Sequence, residues 1–279
     1  MIIWVVKGCN MMNRTIGFIG GGNMAEAIIS GLRKTDQQLQ IRVSNRSNHE
    51  RLQHLVDQYA VTPSKLEETV EKSRVLVLAV KPKDVLGVLN QLKNYKLSDK
   101  LIISVAAGIP LKVFYKVLPG VAVIRSMPNT SAAVLQSLTG LVRGENVTGE
   151  QAELGEQIFA AIGKTMWIPE EKMNALISIS GSGPAYFYLF AESLIKAGVQ
   201  LGLSEEEAAI LVQETLLGAG KMIAESEKSP GKLRDAVTSP NGTTFAALKV
   251  FTDNELPLTV LKATQACAQR AEDMESENS

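Results

Sequence analysis

The stretch from Thr15 to Leu32 constrains the fold of this chain more than any other. Its first five residues include β-branched and aromatic side chains that suit a short buried strand. Residues 25–32 are helix formers with apolar side chains at helical spacing. Between them lies Gly20-x-Gly22-x-x-Ala25. Because a strand precedes this spacing of small residues and a helix follows it, the pattern predicts a dinucleotide-binding turn.

Each small residue of this turn has a predicted task. Gly20 allows the tight turn, Gly22 lets backbone approach a diphosphate, and Ala25 lets the helix pack closely on the strand. The helix N-terminus adds free N–H groups and the positive end of a dipole. A glycine-rich turn of some other α/β protein is the alternative. We expect cofactor contacts at Ile19, Gly20, Gly22, Asn23 and Met24.

The composition argues against several classes of partner and site. Of the 279 residues, 29 are Lys or Arg and 29 are Asp or Glu, so no net field recruits nucleic acid or an anionic membrane. Two cysteines and two histidines are too few to predict a disulfide framework, a metal site or a histidine-based triad. We expect a reduced, cytoplasmic protein with no nucleic-acid partner, no membrane partner and no metal.

The chain divides into an extension and two predicted domains. Residues 1–12 are an extension of unknown role, because the apolar run from Met1 to Cys9 is too short to span a bilayer and lacks the basic start of a signal peptide. Strand and helix patterns alternate over residues 13–168, the predicted dinucleotide-binding domain. Residues 169–279 form the predicted helical domain.

The end of the second predicted strand, at Ser44, indicates which dinucleotide binds. An NAD site usually has an Asp or Glu about 20 residues past the glycines, where it contacts the adenine ribose. Here Asn45, Arg46 and Ser47 follow, without a carboxylate, and Arg46 suits a 2′-phosphate that an acid would repel. We expect these three residues to contact NADPH, with NADH as the second choice. A merely solvated Arg46 is the alternative.

Two further turns are predicted at the same edge of the sheet. The apolar runs 74–80 and 101–105 are typical of central parallel strands that are covered on both faces. Ligands of open α/β sheets bind at the carboxyl ends of such strands. The small residues after the second run leave room for a flat ring such as nicotinamide. We therefore expect cofactor contacts at Val80, Lys81, Pro82, Ala106 and Ala107.

From Lys172 onward the pattern is helical. Residues 184–199 are apolar around nearly the whole helix, and such a helix must be buried on all sides. A domain of roughly 110 residues is small for enclosing it alone, so a homodimer of packed helical domains is the simplest solution. The predicted fold class is α/β, with an N-terminal Rossmann-type dinucleotide-binding domain followed by an all-helical dimerisation domain.

A polar loop from Ser239 to Thr244 (Ser-Pro-Asn-Gly-Thr-Thr) runs directly into an apolar helix. Free N–H groups and hydroxyls at a helix N-terminus suit a carboxylate ligand. An ordinary capped helix with turn residues explains the loop equally well on composition alone.

Five stretches together resemble the pyrroline-5-carboxylate reductase family, over nearly the whole chain. The first two recur in related dehydrogenases, whereas the last two, in this order, are highly specific. The stretches are Ile16–Met24, Ala79–Pro82, Arg125–Thr130, Ser180–Tyr186 and the Ser239–Thr244 loop.

The resemblance implies hydride transfer from NADPH, or less well NADH, to the C=N carbon of 1-pyrroline-5-carboxylate, which gives L-proline in the last step of its synthesis. It implies that the Thr244 hydroxyl is catalytic and hydrogen-bonds the ring nitrogen. Ser239 and the N–H groups of Thr243 and Thr244 would hold the carboxylate. Glu170 falls where the family has a residue near the substrate. Family members are dimers, and some assemble into decamers.

The chain departs from the family pattern at a few positions. Ser131 stands where proline is usual, which predicts a looser turn. Asn241 replaces the first glycine of the usual Ser-Pro-Gly-Gly loop, and because Asn tolerates positive φ we expect the loop shape to survive. Ala236 replaces a polar residue, and residues 64–67 lack a cofactor-contacting Asn.

Two other functions fit the sequence less well. A β-hydroxyacid-type dehydrogenase would place a catalytic Lys on the long helix that opens the second domain, where Lys196 is the only Lys within residues 185–199. A weakly catalytic, dinucleotide-binding regulatory relative is the other alternative, suggested by the departures.

Overall fold

One sheet of eight strands organises the first part of the described chain. The structure is a computed structural model that describes residues 15–278. The strand order is β3-β2-β1-β4-β5-β6-β7-β8, and all neighbours are parallel except β6 and β7. The strands are β1 (Ile16–Ile19), β2 (Ile41–Ser44), β3 (Thr62–Pro63), β4 (Val75–Leu78), β5 (Leu101–Ser104), β6 (Ala122–Met127), β7 (Ser137–Arg143) and β8 (Gly163–Trp167).

Helices cover both faces of this sheet. On β4, Val75 and Val77 belong to one buried apolar cluster and Leu76 and Leu78 to the other, as expected for a central parallel strand. Short helical turns at 130–134, 170–172 and 177–181 complete this part. The helices are α1 (Asn23–Thr35), α2 (His49–Tyr59), α3 (Leu66–Lys72), α4 (Pro82–Leu92), α5 (Leu111–Val117), α6 (Gly149–Ala160) and α7 (Met173–Leu176).

The strand order reverses at β1, which has β2 on one side and β4 on the other. Their registers place Ile19 level with Ser44 and with Leu78, and Leu78 level with Ser104. The loops that leave these four strands therefore start at one edge of the sheet. In open α/β sheets such a switch point is where a dinucleotide binds.

The remaining helices form a separate unit, except for the part of the last helix from Cys267 onward. They are α8 (Gly183–Gln200), α9 (Glu205–Glu225), α10 (Pro230–Ala236), α11 (Thr243–Asp253) and α12 (Leu256–Glu277). Helix α9 begins with a capping box, in which Ser204 and Glu207 exchange hydrogen bonds, as the run of acidic residues after Ser204 indicates. The α/β Rossmann-type sheet followed by helices confirms the predicted fold class.

The compact units divide at a different place from the predicted domains. One unit extends to Gly181 and includes the residues from Cys267 onward, and the other is Ser182–Ala266. The predicted boundary at 168/169 follows the last strand, but Met173 and Ile177 are buried in the core beside the sheet. Ala271 of α12 is buried in the same core, so this helix ends in the first unit. The predicted extension at 1–12 lies outside the described residues.

Helix α8 exposes most of its apolar side chains in the single protomer. Phe187, Tyr188 and Leu189 are 60%, 62% and 65% exposed. Gly183 is the one buried residue of this helix, although its sequence predicts burial on all sides. Large apolar side chains of α9 and α11 are exposed as well, among them Leu217 and Val250. The single protomer therefore leaves a large part of the second unit's apolar surface uncovered.

Residues 15–278 hold neither a helix suited to cross a membrane nor a cluster of metal-ligating side chains. None of the helices there is both long and apolar enough to cross a bilayer. No group of three or more His, Cys, Asp or Glu side chains in the same residues is placed to hold a metal ion.

Candidate active site

The chain turns sharply at Gly20, directly after β1. Gly20 has a φ of +101°, which L side chains rarely adopt, and a Cβ there would lie 2.5 Å from the Ala79 carbonyl oxygen. Its N–H donates to the Ser44 carbonyl at 2.8 Å, so the turn is tied to the ends of both β2 and β4. Only glycine fits this position without displacing the backbone.

Helix α1 presents an uncapped N-terminus beside this turn. Gly22 is its N-cap residue, and no side chain caps the helix. A Cβ on Gly22 would meet nothing within 4 Å, and both Gly22 and Asn23 are exposed. The first-turn N–H groups therefore face open space, which suits an anionic ligand such as a diphosphate. Ala25 is fully buried against the sheet, as the motif predicts.

The residues predicted to contact the adenosine end follow β2 at the same edge. Asn45 is half-buried, and its side-chain amide donates to the Asn48 carbonyl at 3.1 Å. Arg46 and Ser47 are exposed. Within residues 15–278, no other side chain forms an ion pair with Arg46, so its guanidinium is available to a 2′-phosphate.

The residues predicted to flank the nicotinamide follow β4 and β5. Val80 is half-buried, Lys81 is exposed, and Pro82 begins α4, where its missing N–H costs nothing. Ala106 is buried and donates its N–H to the Ser104 hydroxyl at 3.3 Å, while Ala107 is half-buried. These turns start from strand ends that lie side by side, and the fold thus brings the predicted cofactor residues to one edge.

Arg51 on α2 was not predicted from sequence, although it contacts the glycine turn. Its Nε donates to the Gly21 carbonyl at 2.9 Å, and its Nη2 pairs with the Glu26 carboxylate. Burial alone would raise the pKa of the Glu26 carboxyl, but hydrogen bonds from His54 and Arg51 outweigh it and hold this pKa below its usual value. The one signal for Arg51 is a cation in the first turn of a helix, where the dipole disfavours it.

Glu170, predicted near the substrate, has structural contacts in the first unit. Its Oε1 accepts hydrogen bonds from the Leu111 N–H at 2.8 Å and from the Arg125 guanidinium at 3.1 Å. Arg125 is 2% exposed and also pairs with Glu275 of α12 at 2.5 Å. Glu170 thereby helps to fix the start of α5 and the end of α12. Its predicted contact with substrate stays a prediction.

Asn129, in the stretch after β6, holds the turn that leads to the second unit. Its side-chain amide donates to the Ser180 carbonyl at 3.0 Å. Its Oδ1 accepts the Ser131 N–H at 3.1 Å, a bond that the proline usual at this position cannot donate. The departure at Ser131 therefore adds a hydrogen bond to the turn, where the sequence predicts a looser one.

In the second unit, the loop from Ser239 to Thr244 ends at the uncapped start of α11. Gly242 is the N-cap residue without a side-chain cap, and its N–H donates to the Ser239 carbonyl at 3.0 Å. Asn241 has a φ of +58°, so Asn here adopts the left-handed conformation that glycine would also allow. Ser239 and Thr243 are exposed and Thr244 is half-buried. The hydroxyls and first-turn N–H groups form a concentrated set of donors.

Two family models match the chain, one in each part. The model described as "Pyrroline-5-carboxylate reductase dimerisation" matches residues 170–274. The model described as "NADP oxidoreductase coenzyme F420-dependent" matches residues 15–108. The chain therefore carries a dinucleotide-type domain and a dimerisation domain.

Relatives and solved structures match both parts together. The pyrroline-5-carboxylate reductases of Haemophilus influenzae and Pseudomonas aeruginosa are each 38% identical, over 95% of this chain and 99% and 98% of their own lengths. The structure of a Coxiella burnetii pyrroline-5-carboxylate reductase has a TM-score of 0.88 at 38% identity, covering 94% of this chain and 98% of that one.

A Plasmodium falciparum pyrroline carboxylate reductase crystallised with NADP bound has a TM-score of 0.85 at 31% identity, covering 95% of this chain and all of that one. Identity of this level extends over nearly the full length of both chains. This chain belongs to the pyrroline-5-carboxylate reductase family.

Proposed function

We propose that this protein reduces 1-pyrroline-5-carboxylate to L-proline with NADPH, or less efficiently NADH, as the hydride donor. The observation that carries the proposal is the Ser239–Thr244 loop, which ends at the uncapped N-terminus of α11. The hydroxyls and free N–H groups there can bind the carboxylate of a small imino acid. The full-length similarity to pyrroline-5-carboxylate reductases supports it.

The first unit would hold the cofactor. The diphosphate of the cofactor fits the open space beside Gly22 and the uncapped start of α1. Arg46 would pair with the 2′-phosphate, flanked by Asn45 and Ser47. The turns at Val80–Pro82 and Ala106–Ala107 would line the nicotinamide. When bound, the cofactor supplies the hydride.

The second unit would hold the substrate. Ser239 and the N–H groups of Thr243 and Thr244 would bind the carboxylate, and the Thr244 hydroxyl would hydrogen-bond the ring nitrogen. Protonation of this nitrogen makes the neighbouring carbon electrophilic, so the residues have to orient the iminium rather than activate it. Glu170 is the further residue proposed near the substrate.

The assembly proposed for this protein is a homodimer formed through the helical unit. The exposed apolar faces of α8 and α9 need a partner, because monomers rarely expose apolar patches of this extent. A decamer built from such dimers is the larger assembly proposed. The cysteine-poor composition supports a cytoplasmic location.

The direct test is NADPH oxidation with 1-pyrroline-5-carboxylate, run beside a panel of β-keto acids. The proposal predicts turnover of the imine and formation of proline, with little turnover of the panel. Folded protein that binds NADPH but leaves the imine unreacted would refute the proposed activity. Preferential turnover of a β-keto acid would favour the β-hydroxyacid-type alternative.

Replacing Thr244 tests its role in the substrate site. Thr244→Ala should lower kcat/KM for the imine roughly 10- to 150-fold, since a hydrogen bond to a charged partner contributes about 1.5–3 kcal/mol. Thr244→Ser keeps the hydroxyl and should retain most of the activity. Steady-state kinetics measure the first effect, and the Kd for NADPH should not change. Wild-type kinetics in the alanine variant would remove Thr244 from the site.

Arg46→Ala tests the choice of cofactor. The variant should weaken NADPH binding roughly tenfold or more, because a charge-assisted hydrogen bond to the 2′-phosphate is lost. NADH binding should change little. Arg74→Ala is the matched control, because this exposed arginine precedes β4 at the opposite edge of the sheet. An equal loss for NADPH and NADH in the Arg46 variant would reject the 2′-phosphate role.

Leu189→Arg tests the assembly. Leu189 is 65% exposed in the protomer, so the charge should be tolerated by the fold but not by an apolar interface. Sedimentation velocity should show monomers at concentrations where the parent is dimeric. Leu86→Arg, at a 43% exposed leucine of α4, is the control and should leave the dimer intact. An undisturbed dimer in the Leu189 variant would argue against an interface on α8.

A further inference from the structure

Arg51 occupies a position that its own helix disfavours. It lies in the first turn of α2, where the dipole repels a cation. Its backbone N–H is held by the Asn48 side chain at 2.9 Å, and the Asn48 carbonyl accepts the Asn45 amide at 3.1 Å. The start of α2 is thus fastened to the end of β2. Contacts elsewhere must offset the unfavourable charge.

The Arg51 guanidinium bridges three groups of the glycine turn and α1. Its Nε donates to the Gly21 carbonyl at 2.9 Å, and its Nη2 reaches the Asn23 Oδ1 at 3.4 Å and the Glu26 carboxylate. The Arg51 side chain is 22% exposed. A planar fork of donors suits several acceptors at once, which a lysine ammonium on a flexible stem does not.

The hydrogen bond to Gly21 also orients the next N–H group. The described chain contains no cis peptide bond, and in a planar trans peptide the C=O and N–H point in opposite directions. Since the Gly21 carbonyl points at Arg51, the Gly22 N–H points away from α2. A Cβ on Gly22 would meet nothing within 4 Å, so the backbone there borders open space.

We propose that Arg51 is a positioning residue for the dinucleotide, which holds the Gly21 carbonyl so that the Gly22 N–H is aimed at the diphosphate. The proposal rests on the cofactor site proposed above. Gly20, Gly21 and Gly22 have no side chains to restrict their backbone, so an unbraced turn would sample many conformations. Fixing the turn before binding removes an ordering cost that would otherwise weaken the cofactor's affinity.

A second effect of Arg51 has to be separated from this one. The Glu26 carboxylate lies one turn into α1 and would repel a diphosphate, and the Arg51 guanidinium neutralises its charge. The Nε2 of His54 is 2.8 Å from Glu26 Oε1. If neutralisation were the whole role, removing the Glu26 charge would make Arg51 dispensable. If the hydrogen bond to the Gly21 carbonyl matters, Arg51 would still be needed for cofactor binding after the Glu26 charge is removed.

The test is a fluorescence titration of the purified protein with NADPH and with NADH. Arg51→Met should raise the Kd for both about tenfold, and by the same factor, because the diphosphate is common to both. Arg51→Lys should recover little of the loss. The double variant with Arg51→Met and Glu26→Gln should still bind NADPH and NADH weakly. At saturating NADPH, kcat and the KM for the imine should stay within about twofold of the parent. Arg74→Met is the matched control and should bind as the parent does.

Three results would overturn the proposal. The first is a parental Kd in Arg51→Met or, should that variant not fold, in Arg51→Lys. The second is a loss confined to NADPH, which would make Arg51 a 2′-phosphate ligand. The third is recovery of affinity by Glu26→Gln, which would reduce its role to charge neutralisation. Because the titration needs no turnover, a protein that binds NADPH but does not reduce the imine refutes the proposed activity and leaves the test of Arg51 intact.

Discussion

The close approach of Gly20 to the Ala79 backbone is the constraint on which the proposed cofactor site depends. A side chain there would collide with the Ala79 carbonyl, so the end of β1 can lie against the end of β4 only if the residue is glycine. This contact sets α1 at the point where the strand order reverses. The residues proposed to bind the cofactor lie at or after the ends of β1, β2, β4 and β5, which are neighbours in the sheet.

Local patterns predicted most of this edge. Short segments of sequence were enough to predict the glycine turn, the apolar runs of β4 and β5 and the absence of an acid at Asn45. The structure places these segments on neighbouring strands or directly after them. The conformation of the loop at Asn241 was also predictable, because Asn tolerates positive φ better than most residues do. Such features need no knowledge of distant partners.

Long-range contacts could not be predicted from the sequence. Arg51 lies 30 positions from Gly21, and Arg125 lies 150 positions from Glu275. Nothing near either arginine identifies its partner, because the pairing exists only after the helices have packed on the sheet. The compact units differ from the predicted domains for the same reason, since the last turns of α12 return to the first unit and bury Ala271 there. A pattern of helices cannot indicate which core each one joins.

The central claim is that a hydride passes from the nicotinamide to the carbon of an imine. The most direct measurement uses NADPH deuterated at C4 of the nicotinamide, in each of its two stereoisomers, with 1-pyrroline-5-carboxylate, followed by mass spectrometry of the product. The account predicts proline with one deuterium at C5 from one stereoisomer and unlabelled proline from the other. Unlabelled product from both, or no proline at all, would contradict it.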